Sequence, residues 1–214
     1  IKIFYMDLII IFGFIILIFS VIIHEVAHGT MAFALGDPTA KIEGRLSLNP
    51  INHIDPVGTI FLPLFLIFLG SPVIIGWAKP VPVNFYNLTD KRYGALKVSL
   101  AGPLVNFIIA TFFALVIRFA PTLNQGAYDI FQLVSIYNLC LALFNLIPIF
   151  PLDGFHILFD LLPQGEYLEK IRIFFYKFGS LILIFFIFIF LGINWIFAWC
   201  SRIFYFLSGQ PIII

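Results

Sequence analysis

The stretch Phe19–Pro38, "FSVIIHEVAHGTMAFALGDP", decides how this chain is read. Two histidines and a glutamate stand near the end of a long run of Ile, Leu and Phe. Charged and metal-binding side chains are costly in lipid, so where they occur they mark function. His24, Glu25 and His28 form H-E-x-x-H on an expected helix. Residues i and i+4 share a helical face, with Cβ atoms ~5–6 Å apart, and two imidazoles so placed can bind one tetrahedral Zn²⁺. Glu25 is the natural general base for a water at that metal. The competing reading, two buried histidines satisfied by hydrogen bonds, leaves three polar groups in a membrane helix without the partner a metal supplies.

Composition gives that motif its setting. Hydrophobic residues make up 62% of the 214 and charged residues 11%, against about 25% charged in an average soluble domain. Several apolar stretches reach the ~20 residues that a helix needs to span lipid. The chain reads as a polytopic membrane protein whose surroundings are the bilayer. A net charge of +1 points to no nucleic acid or other polyanion as partner. Cys140 and Cys200 lie far apart in apolar helical stretches and read as buried free thiols, with no disulfide. The first apolar run lacks a small-residue cleavage site and carries the histidines, so it reads as mature structure and not as a signal peptide.

Along the chain, the first helix is expected from about Phe4 to Leu35, stopped by Gly36-Asp37-Pro38. Thr39–Pro56 is polar, rich in Pro and Asn, and reads as a strand or hairpin followed by a loop. Val57–Gly76 is apolar but broken by Pro63, Gly70 and Pro72, and Pro80 and Pro82 forbid regular helix after it. Further helices are expected at Ala95–Phe119, Ala127–Leu146 and, briefly, Phe155–Leu162. The last apolar block, Ile173–Leu207, is expected to split near Gly192 and Asn194, with Trp195 and Trp199 in an interfacial belt. The fold class is therefore all-α: about four transmembrane helices, a Pro-broken re-entrant segment and a small strand or hairpin element. Residues 1–214 form one domain, with a catalytic core over about 4–163 and C-terminal membrane helices at 173–207.

A catalytic zinc site needs a third protein ligand and an open fourth position. Asp153 stands out in "PIFPLDG", at the end of an apolar helix, where its other reading is an N-cap for the next short helix. His156 is the runner-up ligand, and His53 reads as a loop residue.

"HEVAH", "NPINHIDPVGT", "GWAKPVPVN", "AGPLVN" and "NLIPIFPLDG", in that order, resemble the site-2 protease family of intramembrane zinc metalloproteases. The likeness covers Val21 to about Leu158 and points to the compact branch without PDZ or CBS domains. It implies His24, His28 and Asp153 as ligands of one Zn²⁺ per chain and Glu25 as the catalytic residue. Asn145 matches the family's motif asparagine beside the site, either as an oxyanion donor or as a helix-end residue bonded to backbone. The chain departs from the family at Phe155-His156, where a small residue and Arg are usual. The implied function is an intramembrane endopeptidase acting in or near transmembrane segments of membrane proteins. A zinc-binding transporter and a non-proteolytic membrane interaction protein are the alternatives.

Zinc also constrains topology. His28 and Asp153 both lie near C-terminal helix ends, so their helices must run in the same direction, with an even number of crossings between them. Ala95–Phe119 is one crossing, so Val57–Gly94 must not cross once; a re-entrant path suits its prolines. With the N-terminus outside, the three stretches that carry Lys41 and Arg45, Lys79 to Lys97, and Lys170, Arg172 and Lys177 then fall on the cytoplasmic side. This places the protein in a membrane, most simply the plasma membrane of a prokaryote, with the zinc nearer the cytoplasm. Asn106, Ala101 and Gly102 read as close helix packing. "AKIEGRLSL" and "KPVPVN" are candidate edges for pairing with an unwound substrate.

Overall fold

The computed structural model describes residues 2–69, 76–120, 122–163, 165–189 and 193–212. Its helices are α1 (Lys2–Ala34), α2 (Thr39–Ile42), α3 (Leu62–Phe68), α4 (Gly94–Phe119), α5 (Gln125–Asn145), α6 (Asp153–Leu161), α7 (Glu166–Ile189) and α8 (Ile193–Ser208). Among the described residues, three helical stretches are long and apolar enough to cross a membrane: Ile11–Ala34, Gly94–Phe119 and Gln125–Asn145. Apolar side chains such as Phe14, Leu17, Ile18, Ile108 and Phe112 face outward, while Ser20, His24, His28, Asn106, Ser135 and Asn138 are buried. This distribution suits an exterior of lipid.

Helix α1 stops where Gly36 enters the left-handed region at φ 103°. The Asp37 N–H reaches the Ala32 carbonyl and the Gly36 N–H reaches that of Phe33, the double closure that glycine permits. Helix α4 carries a stripe of small residues at Gly102, Asn106, Ala110 and Ala114, all buried, which lets α1 and α5 approach closely. His28 meets Val98 and His24 meets Asn106, so α1 and α4 run antiparallel. Asn106 meets Asn138 and Ala110 meets Ser135, so α4 and α5 are antiparallel too. Helices α1 and α5 are therefore parallel, the relation that a shared metal demands.

The strand or hairpin expected in Thr39–Pro56 is not formed, and no strand occurs among the described residues. Local capping wins there. The Asp37 carboxylate accepts from the Thr39 N–H ahead of α2, and Asn49 accepts from Ile51 to start a 3₁₀ turn at Pro50–His53. Short polar side chains thus offer the backbone nearer partners than a second strand would. Asp55 likewise caps a wide helical turn over Pro56–Phe61 that leads into α3. Residues 70–75, holding Gly70 and Pro72, lie outside the described residues. The chain then runs extended from Gly76, and the Trp77 N–H donates to the Gly58 carbonyl. Further on, Asn84 and Asn87 donate to Asp37, and Thr89 donates to the Leu35 carbonyl. The segment between α1 and α4 therefore leaves from and returns to the C-terminal end of α1.

Toward the C-terminus, α7 begins at Glu166, ahead of the apolar block, with a Glu166–Lys170 pair on its first turns. Helix α8 is not simply lipid-facing. Ile196, Cys200 and Phe204 are buried against α4 and α5, while Trp195 and Trp199 point outward. Cys140 and Cys200 remain free thiols, and packing brings their sulfurs to 3.1 Å.

Candidate metal centre

Helical periodicity places His24 and His28 on one face of α1, turned toward α4 and buried. Asp153 arrives from the first turn of α6. It is held there by Gly154, where a Cβ would stand 2.2 Å from the Leu146 carbonyl oxygen, so only glycine lets α6 fold back against the end of α5. The His24 Nε2 and His28 Nε2 atoms are 3.1 Å apart, and Asp153 Oδ2 lies 3.1 Å from the first and 3.3 Å from the second.

These atoms fit a metal and little else. Each Nδ1 faces an acceptor: Asn106 Oδ1 at 2.6 Å for His24 and the Val98 carbonyl at 2.7 Å for His28. Both Nδ1 atoms therefore carry the proton in the neutral rings, and both Nε2 atoms present lone pairs. Two lone pairs and a carboxylate oxygen converge, and Asp153 Oδ2 is buried without a hydrogen-bond partner. Such a convergence is repulsive unless a cation occupies its centre. Ligands ~2.0–2.1 Å from a tetrahedral ion stand about 3.3 Å from one another, which the three separations match. Two nitrogens and one carboxylate form a donor set suited to zinc with an open position.

Gly102 completes the enclosure. A Cβ there would lie 2.3 Å from His28 Nε2 and 2.6 Å from His24 Cε1, so α4 can cross the imidazole pair only at a glycine. The expectation of close packing at Ala101-Gly102 thus has a specific object, the ligands themselves. Asn106 reads as a packing residue in the sequence; in the structure it is a hydrogen-bond partner of His24. Its signal is an amide at i+4 from that glycine, in the apolar middle of the helix.

Glu25 is half-buried beside the ligands, and its Oε2 accepts from the Val81 N–H at 2.9 Å. Val81 belongs to the extended segment Gly76–Val83, which lies across this part of α1. The Trp77 and Lys79 N–H groups donate to Gly58 and His53 carbonyls. Arg45, buried, donates to the Lys79 and Pro80 carbonyls at 2.7 and 3.2 Å. Arg45 had no motif to reveal it; only the fold brings it to the segment that holds Glu25.

The other candidates go elsewhere. Asn145 donates to the Leu141 carbonyl of its own helix at 3.0 Å. His156 packs among the rings of Phe150, Phe155 and Tyr176. His53 is buried, with Nε2 on the Ser47 carbonyl. Among the described residues, His24, His28 and Asp153 form the one group with metal-ligating spacing.

The description of peptidase family M50 matches residues 117–186, the stretch that carries Asn145 and Asp153. The putative zinc metalloprotease YwhC of Bacillus subtilis is 43% identical over 157 residues, 70% of this chain and 68% of that protein. This chain belongs to peptidase family M50. The zinc metalloprotease MJ0392 of Methanocaldococcus jannaschii is 32% identical over 198 residues, covering 92% of this chain and 48% of that protein. The putative zinc metalloprotease Rip2 of Mycobacterium tuberculosis is 31% identical over 138 residues, 64% of this chain and 51% of that protein. The chain thus spans about two-thirds of the first relative and about half of the other two. No solved structure matches it. Membership makes the chain a membrane zinc metallopeptidase of site-2 protease type, and zinc the metal that its donor set fits.

Proposed function

We propose that this protein is an intramembrane endopeptidase that hydrolyses peptide bonds in or next to transmembrane segments of membrane proteins. The observation that carries the reading is the largely buried His24–His28–Asp153 cluster, the histidine lone pairs fixed inward, with Glu25 on the same turn of α1 as His24. His24, His28 and Asp153 hold the zinc, and Glu25 is the catalytic base. Zinc, when bound, supplies a Lewis acid for a peptide carbonyl and acidifies water. The Glu25 carboxylate takes the proton of the attacking water and returns it to the leaving amine nitrogen. The Val81 N–H fixes one carboxylate oxygen, leaving the other to receive the proton. Asn145 spends one Nδ2–H on the Leu141 carbonyl, and the second is the one that can serve substrate or oxyanion.

The cluster lies 6 to 10 residues before the end of α1, or roughly 9–15 Å at 1.5 Å per residue. That end carries Lys41, Arg45, Lys79, Lys91, Arg92 and Lys97, which supports a cytoplasmic assignment for it. Val57–Gly94 then enters and leaves on that side without a single crossing, and the zinc sits within the membrane nearer the cytoplasm of a prokaryotic cell. Pairing of substrate with "KPVPVN" is limited. Trp77, Lys79 and Val81 turn their N–H groups into the protein, and Pro80 and Pro82 have none to offer on the other edge.

The test is cleavage of a membrane-embedded substrate by Glu25→Gln. Cleavage abolished with zinc retained supports a protease. A variant that keeps cleaving, or a wild type that moves zinc across vesicles without cleaving, sinks the reading.

A further inference from the structure

The two zinc-facing histidines are held differently. His28 Nδ1 donates to a backbone carbonyl, that of Val98. His24 Nδ1 donates to a side chain, Asn106, whose amide could present either oxygen or nitrogen if rotated. What fixes that amide lies farther from the metal. Asn106 Nδ2 donates to Asn138 Oδ1 at 2.7 Å and to the Ser20 carbonyl at 3.3 Å. Asn138 Nδ2 donates in turn to the Val134 carbonyl at 2.8 Å and to Ser20 Oγ at 2.9 Å. Asn106 and Asn138 are fully buried and Ser20 nearly so.

The direction of this chain follows from its two backbone ends. The Val134 carbonyl only accepts, so Asn138 must turn its NH₂ toward it and its oxygen toward Asn106. The Ser20 carbonyl only accepts, so Asn106 must turn its NH₂ inward. Its oxygen then faces His24, which can meet it only with Nδ1–H, leaving Nε2 as the lone pair. Reversing any member opposes two like dipoles in a buried site. We propose that Asn138 and Ser20 are positioning residues that act through Asn106 to fix the tautomer of His24. They form a one-way relay across α1, α4 and α5 that presents Nε2 to zinc. The proposal rests on the zinc reading above. An outer partner of a ligating histidine is commonly worth about 10–100-fold in metal affinity.

The experiment uses the full chain in nanodiscs with ¹³C,¹⁵N-labelled histidine, reading ring shifts with and without zinc, and zinc affinity by chelator competition. Loss of signals in His24→Asn and His28→Asn assigns the two rings. Asn106→Leu is expected to weaken zinc by about 10–100-fold, and Asn138→Leu by less, because the Ser20 carbonyl still holds Asn106. His24 gains a second tautomer in Asn106→Leu and a smaller population of it in Asn138→Leu, while His28, anchored on backbone, keeps its own. Asn138→Asp, which retains an acceptor for Asn106 and, protonated, a donor for Val134, restores most of the affinity. Should the leucine variants fail to fold, Ser20→Ala removes one hydroxyl, and a shift confined to His24 is the supporting result. Unchanged His24 shifts overturn the relay, as does equal disturbance of His24 and His28, which marks packing alone. The zinc reading fails separately, if His24→Asn binds zinc as tightly as the wild type.

Discussion

The two halves of the candidate site are built by opposite means. The ligand half stands on long regular helices: α1 supplies both histidines, α4 passes at Gly102, and the turn after α5 delivers Asp153. The base half depends on an irregular extended segment, Gly76–Val83, gripped by Arg45 and by the carbonyls of His53 and Gly58. Helices fix metal ligands because a rigid donor set repays the cost of burying it. The comparison predicts that damage to the first half shows in metal content and damage to the second in rate alone.

The largest expected effect belongs to the base. Glu25→Gln should lower cleavage by roughly 10²–10⁴-fold, with zinc content by elemental analysis unchanged; loss of zinc with activity would merge the two halves. Gly102→Ala comes next. Its Cβ would press on both imidazoles, so zinc affinity should fall by about 10–100-fold and activity should return at high zinc. Arg45→Ala should reduce cleavage about tenfold, or ~1.4 kcal/mol of barrier, at constant zinc affinity. A zinc defect in that variant would show that the segment supports the ligands as well.

The smallest effect on cleavage belongs to Asp37, whose variant acts on stability instead. Burial acts to raise the Asp37 carboxyl, but hydrogen bonds from the Thr39 and Asn87 side chains and the Asn84 and Thr39 N–H groups hold it below the usual carboxylate range. Its contribution is complete above the unfolded value near ~3.9 and is lost as pH falls through the lower folded value. Asp37→Asn should cost about 1–3 kcal/mol at neutral pH, because one bond to Asn84 or Asn87 must oppose an NH₂ group. Its thermal midpoint should also depend less on acid than that of the wild type. Equal acid sensitivity in both would show that Asp37 does not tie the segment to α1.

Much of the ligand half was legible beforehand. H-E-x-x-H specifies a shared face because the helix repeats every 3.6 residues, and Asp153-Gly154 combined an odd carboxylate with a residue that only a close approach requires. The parallel relation of α1 and α5 followed from asking Asp153 to meet the histidines. Expectation failed in Thr39–Pro56, where alternation suggested a strand and side-chain caps made turns, and at Asn106, where an amide in an apolar helix read as packing.

By itself, then, the sequence determined a helical membrane protein and singled out His24, His28 and Asp153 as candidate metal ligands and Glu25 as the candidate base, because periodicity and the cost of polar groups in lipid are local and leave a pattern. The tertiary structure alone decided that Arg45 grips the segment over Glu25, that Gly102 touches the ligands, and that Ser20, Asn106 and Asn138 meet behind His24. Those contacts join residues from 32 to 118 positions apart, counting Arg45–Lys79, Asn106–Asn138 and Ser20–Asn138. Hydrogen-bond direction across such distances is set by how helices pack, for which a single chain carries no periodic signal.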